Sequence, residues 1–225
     1  LPSVLREATG WKIPLPGHYG SRKALALWLT STNHPLTARV MVNRLWYWHF
    51  GRPIVGTPND FGSMGEAPTH PELLDWLAVE FMRSGWSLKK MHKLMVLSSV
   101  YQMDSRFASE ANARRDPENR LLWRMNRRRL EAEALWDSLH FAAGTLNLKM
   151  GGRPVAPRLD GDEQPPPSWV VSADPAEHSR RGIYILVRRN FRFPMFDVFD
   201  SPINAVSAPS RDVTTVAPQA LWLLN

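Results

Sequence analysis

Two apolar stripes at helical spacing follow one another between Thr69 and Gln102, with little more than Gly85 separating them. Leu73, Leu74, Trp76, Leu77 and Phe81 line the first, and Leu88, Met91, Leu94, Met95 and Leu97 the second. Thr69-His70-Pro71-Glu72 matches a capping box, with Thr69 as N-cap and Glu72 reaching back from the third helical position. The first helix is predicted to run to about Arg83 and stop at Gly85; Ser87 caps the second, which continues to about Gln102. Helices joined this tightly form an antiparallel hairpin, and a chain built around one buries helix against helix.

The flanking segments repeat the pattern. Residues 1–20 hold Pro2, Gly10, Pro14, Pro16, Gly17 and Gly20 and no sustained period, an irregular lead-in. Arg22 to Thr32 is predicted helical and is broken by Asn33-His34-Pro35. A second helix spans Leu36 to Phe50, with Gly51 placed for a left-handed C-cap. Pro53 to Pro68 reads as a turn-rich loop and Asp104 to Asn119 as a polar one. Leu121 to Ala143 reads as one long helix closed by Gly144. Residues 145–180 are Pro- and Gly-rich, an exposed excursion rather than a packed element. Gly182 to Val187 reads as a strand that Phe191-Arg192-Phe193 extends or pairs with, and a last helix starts near Pro218. The expected fold is mainly α: a single multi-helix domain over 21–225 with a small β element near residues 183–193.

Composition narrows the chemistry. The chain has 225 residues, 44% of them hydrophobic, enough to enclose a core. The 28 basic and 21 acidic side chains leave a formal charge of +7, spread along the chain rather than gathered in an arm or tail. With no cysteine, disulfides, thiolate metal sites, thiol nucleophiles and c-type haem attachment are excluded within this stretch. No apolar run approaches the roughly 18 residues of a membrane span, and Leu1 to Arg6 lacks the apolar region of a signal peptide. The chain does not start with Met and ends in the apolar run Ala217 to Asn225, so a fragment of a longer protein is expected.

Several runs in order carry a family resemblance: Asn33 to Arg44, Thr57 to Gly62, Pro68 to Ala78, Arg127 to Glu133, Met150-Gly151-Gly152 and Arg211 to Leu221. From about Arg22 onward the chain resembles the planctomycete domain of unknown function 1553, also called PSD-one. The resemblance implies a domain from the C-terminal part of a large exported bacterial protein, often with a c-type cytochrome module and a second uncharacterised domain upstream. Any haem would therefore belong to an upstream domain. The resemblance implies no catalytic activity, and no functional residue carries over from it. Such sequences carry a cysteine in the stretch before Arg211, where this chain has Ser207, Ala208, Pro209 and Ser210, so no role for that thiol is expected here.

The residues themselves offer weak site signals, each beside a plainer explanation. Asn59, Asp60, Glu66 and His70 gather oxygen and nitrogen groups of the kind that hold a divalent cation, with Asp60 and His70 as the metal ligands. The same residues serve equally to close turns and open a helix. Asp200, three positions after Asp197, is a candidate general base and Arg211 its catalytic companion; a carboxylate paired with an arginine explains both as well. Arg44, Asn59, Asp60 and Thr215 are candidate binding residues. His34, His49, His70 and His92 show no HExxH spacing, and there is no GxSxG elbow, Walker loop or GxGxxG cradle. The basic-aromatic runs Arg124 to Arg129 and Val187 to Phe193 suit phosphates and bases, but mixed acidic neighbours and the implied export argue against nucleic acid. Tryptophans at helical positions suit a core or a carbohydrate platform. The expected role is a non-catalytic interaction or assembly module of an exported multidomain protein. Its partners would be other domains of the same longer chain, a carbohydrate or another protein. The alternative is a metal-assisted hydrolase acting on a polysaccharide or ester.

Overall fold

The computed structural model describes residues 21–159, 166–203 and 207–224; the lead-in at 1–20 lies outside the described residues. Two compact units divide between Arg128 and Arg129. Among the described residues helices are the main regular elements of both: α1 (Ser21–Leu29), α2 (Thr37–Phe50), α3 (Pro71–Arg83), α4 (Leu88–Val96) and α5 (Glu110–Arg115) in the first, and α6 (Ala132–Ala142), α7 (Pro194–Val198) and α8 (Ala217–Leu224) in the second.

In the first unit α2 presents Ala38, Val42, Leu45, Trp46 and Phe50, positions that recur on one helical face. They enter one core with Leu74, Leu77, Ala78 and Phe81 of α3 and Met91 and Met95 of α4. Trp46 stacks on Phe50 with ring centroids 3.9 Å apart. Gly51 supplies the left-handed C-cap at φ 76°, and its N–H donates to the Tyr47 carbonyl. Ser87 caps α4 by accepting from the Lys90 N–H at 3.3 Å.

Five local expectations are corrected. Trp76 is 52% exposed; at about 100° per residue it lies roughly 200° round the helix from Leu74, off the core face. Thr69 does not cap α3: His70 occupies the N-cap position without a side-chain cap bond, and the Thr69 hydroxyl donates to the Ile54 carbonyl instead. The helix after Ser87 ends at Val96, and Ser98 to Met103 continue as turns. Residues 121–131 are not helical either. The Asp116 carboxylate accepts from the N–H groups of Arg120 and Leu121, each at 2.8 Å. The Asn119 side chain donates to the Arg124 carbonyl at 2.8 Å, so side chains satisfy backbone groups that a helix would otherwise pair. The loop expected at 104–119 in turn contains α5, capped by Ser109.

The second unit has an aromatic core of Trp169, Phe193, Phe196 and Phe199 around Ala132, Ala156, Ile185 and Met195. The Pro- and Gly-rich stretch is irregular and largely exposed over its described residues, yet a few of its side chains enter the core. Val155, Ala156 and Trp169 are buried, and the Trp169 indole N–H donates to the Pro157 carbonyl at 3.1 Å. The expected strand is built otherwise. Gly182–Tyr184 forms a 3-10 turn, after which Ile185 makes an isolated parallel bridge to Val155 and Arg188 an antiparallel one to Phe191. The turn forms because the Asp137 carboxylate accepts the Gly182 N–H at 2.6 Å and Arg181 pairs with the same group at 3.2 Å. The chain is thereby pulled onto α6 instead of extending into a ladder.

Candidate functional site

In the first unit, buried Asn43 on α2 both donates to the Val55 carbonyl at 3.1 Å and accepts from its N–H at 2.9 Å. This two-way grip sets the start of the loop that carries Asn59 and Asp60. One turn of α2 after Val40, Arg44 donates from Nη2 to the Asn59 Oδ1 at 2.9 Å, so two of the expected binding residues do meet. Asp60 serves its own loop: its carboxylate accepts the Gly62 N–H at 2.8 Å and its carbonyl accepts the Thr57 hydroxyl at 2.7 Å. His70 pairs with the Thr69 hydroxyl at 2.9 Å. No hydrogen bond joins Asp60 to His70 among the described residues, and no group of three His, Asp or Glu side chains there is arranged to hold a metal ion.

Beside Arg44 the first unit holds a largely apolar pocket of about 660 Å³. Among the described residues the only charged side chain in its lining is Arg44, and His34 and Thr37 are the other polar ones. His34 is buried, and its Nδ1 accepts the N–H groups of Leu36 at 3.2 Å and Thr37 at 3.0 Å. Burial also pushes its pKa below the ordinary 6.5. The ring is therefore neutral, with its proton on Nε2.

In the second unit Asp200 sits at φ 61°, a left-handed conformation that Asp tolerates better than most residues. Its Oδ2 accepts the Thr214 N–H and its Oδ1 the Thr214 hydroxyl, both at 2.8 Å. Burial works to raise the Asp200 pKa, but the Thr214 backbone and side-chain bonds, the Arg129 charge and the Gln219 amide outweigh it and hold the carboxyl below its ordinary 3.8. Arg129 donates to the Thr214 carbonyl and, at 2.8 Å, to the Gln219 Oε1. Buried Gln219 donates to the Val198 carbonyl at 3.0 Å. Arg211 is bidentate on Glu133, at 2.7 and 3.0 Å. Asp200 and Arg211 thus sit in two separate clasps that fasten the segment leading into α8. Thr215 makes no hydrogen bond among the described residues; its neighbour Thr214 makes the contacts. Arg129, Glu133, Thr214 and Gln219 escaped the sequence reading, although all four lie inside the runs Arg127 to Glu133 and Arg211 to Leu221.

Met150-Gly151-Gly152 has a place too. Arg180, 1% exposed, donates to the carbonyls of Lys149 and Gly151 at 3.0 and 2.5 Å and to Glu177 at 3.0 Å. Its guanidinium carbon lies 3.9 Å from the Tyr184 ring centroid. The Tyr184 hydroxyl accepts the Gly151 N–H at 2.8 Å. Gly151 and Gly152, at φ 75° and 87°, take conformations that only glycine adopts freely. The loop so fixed leaves Leu148 and Met150 68% and 77% exposed, and Ile183 on the facing turn is 62% exposed. The sequence offered no signal for this, because the locking arginine lies about thirty residues further along the chain.

No helix among the described residues is long and apolar enough to cross a membrane. No curated protein and no solved structure shows significant similarity to this chain. A family model described as protein of unknown function (DUF1553), PSD1, matches residues 21–225. Each clasp draws its partners from the runs Arg127 to Glu133 and Arg211 to Leu221, the loop contains Met150-Gly151-Gly152, and the chain belongs to the DUF1553 family.

Proposed function

We propose that the chain is a non-catalytic interaction module of a longer, exported multidomain protein, and that the Met150 loop is a surface on which neighbouring domains dock. The observation that carries this reading is the exposure of Leu148, Met150 and Ile183 on two segments that buried Arg180 locks together. Apolar side chains held on rigid backbone lose little entropy on association and gain burial, which is what a docking surface needs. Export and the multidomain setting rest on the family resemblance. Asp200 and Arg211 fit the reading as fasteners, each engaged by partners within its own unit.

The test is co-purification with the flanking regions encoded by the same gene, supplied as a separate polypeptide. The wild-type chain is retained, and a Met150→Asp/Ile183→Asp variant with unchanged circular dichroism is not. Equal retention of both, no retention of the wild type, or turnover of a polysaccharide or ester by the chain itself overturns the proposal.

A further inference from the structure

The pocket of the first unit combines a size, a wall and a charge that point to a small ligand. Its volume, about 660 Å³, falls in the range of roughly 300–1,000 Å³ that holds small molecules. Leu29 of α1, Val40 and Met41 of α2, Phe81 of α3, and Trp86 supply most of the wall. Trp86 is presented by unusual backbone: at φ 58° it occupies the left-handed region, which a bulky side chain rarely enters. Its N–H donates to the Phe81 carbonyl at 2.9 Å, and its ring lies edge-on to Phe81 at 5.2 Å. Those contacts hold the indole at the pocket when an ordinary turn would carry it elsewhere.

Arg44 gives the pocket its polarity. Nη2 is bonded to Asn59, a neutral acceptor, and Nε is buried without a hydrogen-bond partner. No carboxylate among the described residues pairs with this guanidinium. A guanidinium partly withdrawn from water beside an apolar wall, with no counter-charge among the described residues, favours an anion that brings its own apolar body. A planar guanidinium matches carboxylate and phosphate alike, and a single cation beside an apolar wall suits the singly charged carboxylate of the two. The neutral His34 and the tied-back Thr37 add no second charge, so the ligand has one anionic end.

We propose that this pocket binds an amphipathic monocarboxylate of medium-chain fatty-acid size, its carboxylate at Arg44 and its chain along Val40, Phe81 and Trp86. The site is separate from the Met150 loop, and the two proposals stand or fall independently.

Titration calorimetry of the full chain with decanoate, below its micellar concentration, tests it against uncharged decanol. The expected result is saturable 1:1 binding of decanoate, decanol binding at least tenfold weaker, and a Trp fluorescence change on binding that Trp86→Phe removes. Arg44→Gln lowers decanoate affinity at least tenfold and leaves decanol unchanged. Val40→Trp fills the pocket without touching the charge and abolishes binding of both. Should Arg44→Gln not fold, the decanoate-to-decanol ratio and Val40→Trp decide on their own. Absence of saturable decanoate binding, equal affinity for acid and alcohol, or full binding by Val40→Trp overturns the proposal.

Discussion

Asn43→Ala tests the step that links the core of the first unit to its candidate binding loop. The Asn43 amide meets both the N–H and the carbonyl of Val55, and both residues are fully buried. Alanine removes both partners at once and leaves two backbone groups without hydrogen bonds in a place water does not reach. Each such group costs about 1–3 kcal/mol, so the pair costs roughly 2–6 kcal/mol, with about 3 kcal/mol expected once the loop relaxes to wet one of them. That is a large share of the about 5–15 kcal/mol that stabilises an ordinary domain, and it lowers Tm by about 6–12 °C for a chain of this length. Asn43→Asp retains an acceptor for the Val55 N–H but loses the donor and buries a charge, so its loss is larger. Urea denaturation followed by circular dichroism, with hydrogen exchange at the Val55 amide, measures both consequences. A loss under about 1 kcal/mol, or unchanged exchange at Val55, refutes the claim that this contact sets the loop that brings Asn59 to Arg44.

Two further outcomes follow from the same geometry. His49 Nε2 and His92 Nδ1 lie 2.7 Å apart, and burial, then the His92 charge, then Arg128 lower the His49 pKa below 6.5. The unfolded chain therefore binds more protons than the folded one as pH falls through 6.5, so stability declines on acidification; a Tm series from pH 7.5 to 5.5 shows the decline, and His49→Gln flattens part of it. Asp200→Ala removes two bonds to Thr214 and leaves alanine at φ 61°. It costs about 2–3 kcal/mol and speeds amide exchange across 214–224, and unchanged exchange there denies Asp200 its fastening role.

Much of the helical framework was legible because its signals are local. The span of α2, the left-handed Gly51 and the Ser87 cap each depend on residues within about one helical turn, and each stands where the sequence places it. The same locality misled wherever a distant group took over a backbone partner. Thr69 matches a capping box by spacing, yet Ile54, fifteen positions away, takes its hydroxyl. Gly182 to Val187 has the composition of a strand, yet the Asp137 carboxylate on α6 turns it into a 3-10 corner. Asp200 and Arg211 are expected as companions yet engage Thr214 and Glu133 in separate clasps, whereas Arg44 and Asn59 are each other's partners.

By itself, then, the sequence determined the helical class, most helix positions, the absence of thiol chemistry and the family, all of which reside in composition, period and motif order. Tertiary structure decided which polar groups meet. Arg129 reaches Gln219 across 90 positions, and Arg180 reaches Gly151 across 29. It also decided that a Pro-rich stretch delivers Trp169 to a core and that Arg44 stands beside an apolar pocket with no carboxylate among the described residues. Pairings over such distances are selected by burial and by hydrogen-bond satisfaction in the folded chain, and no local pattern records them.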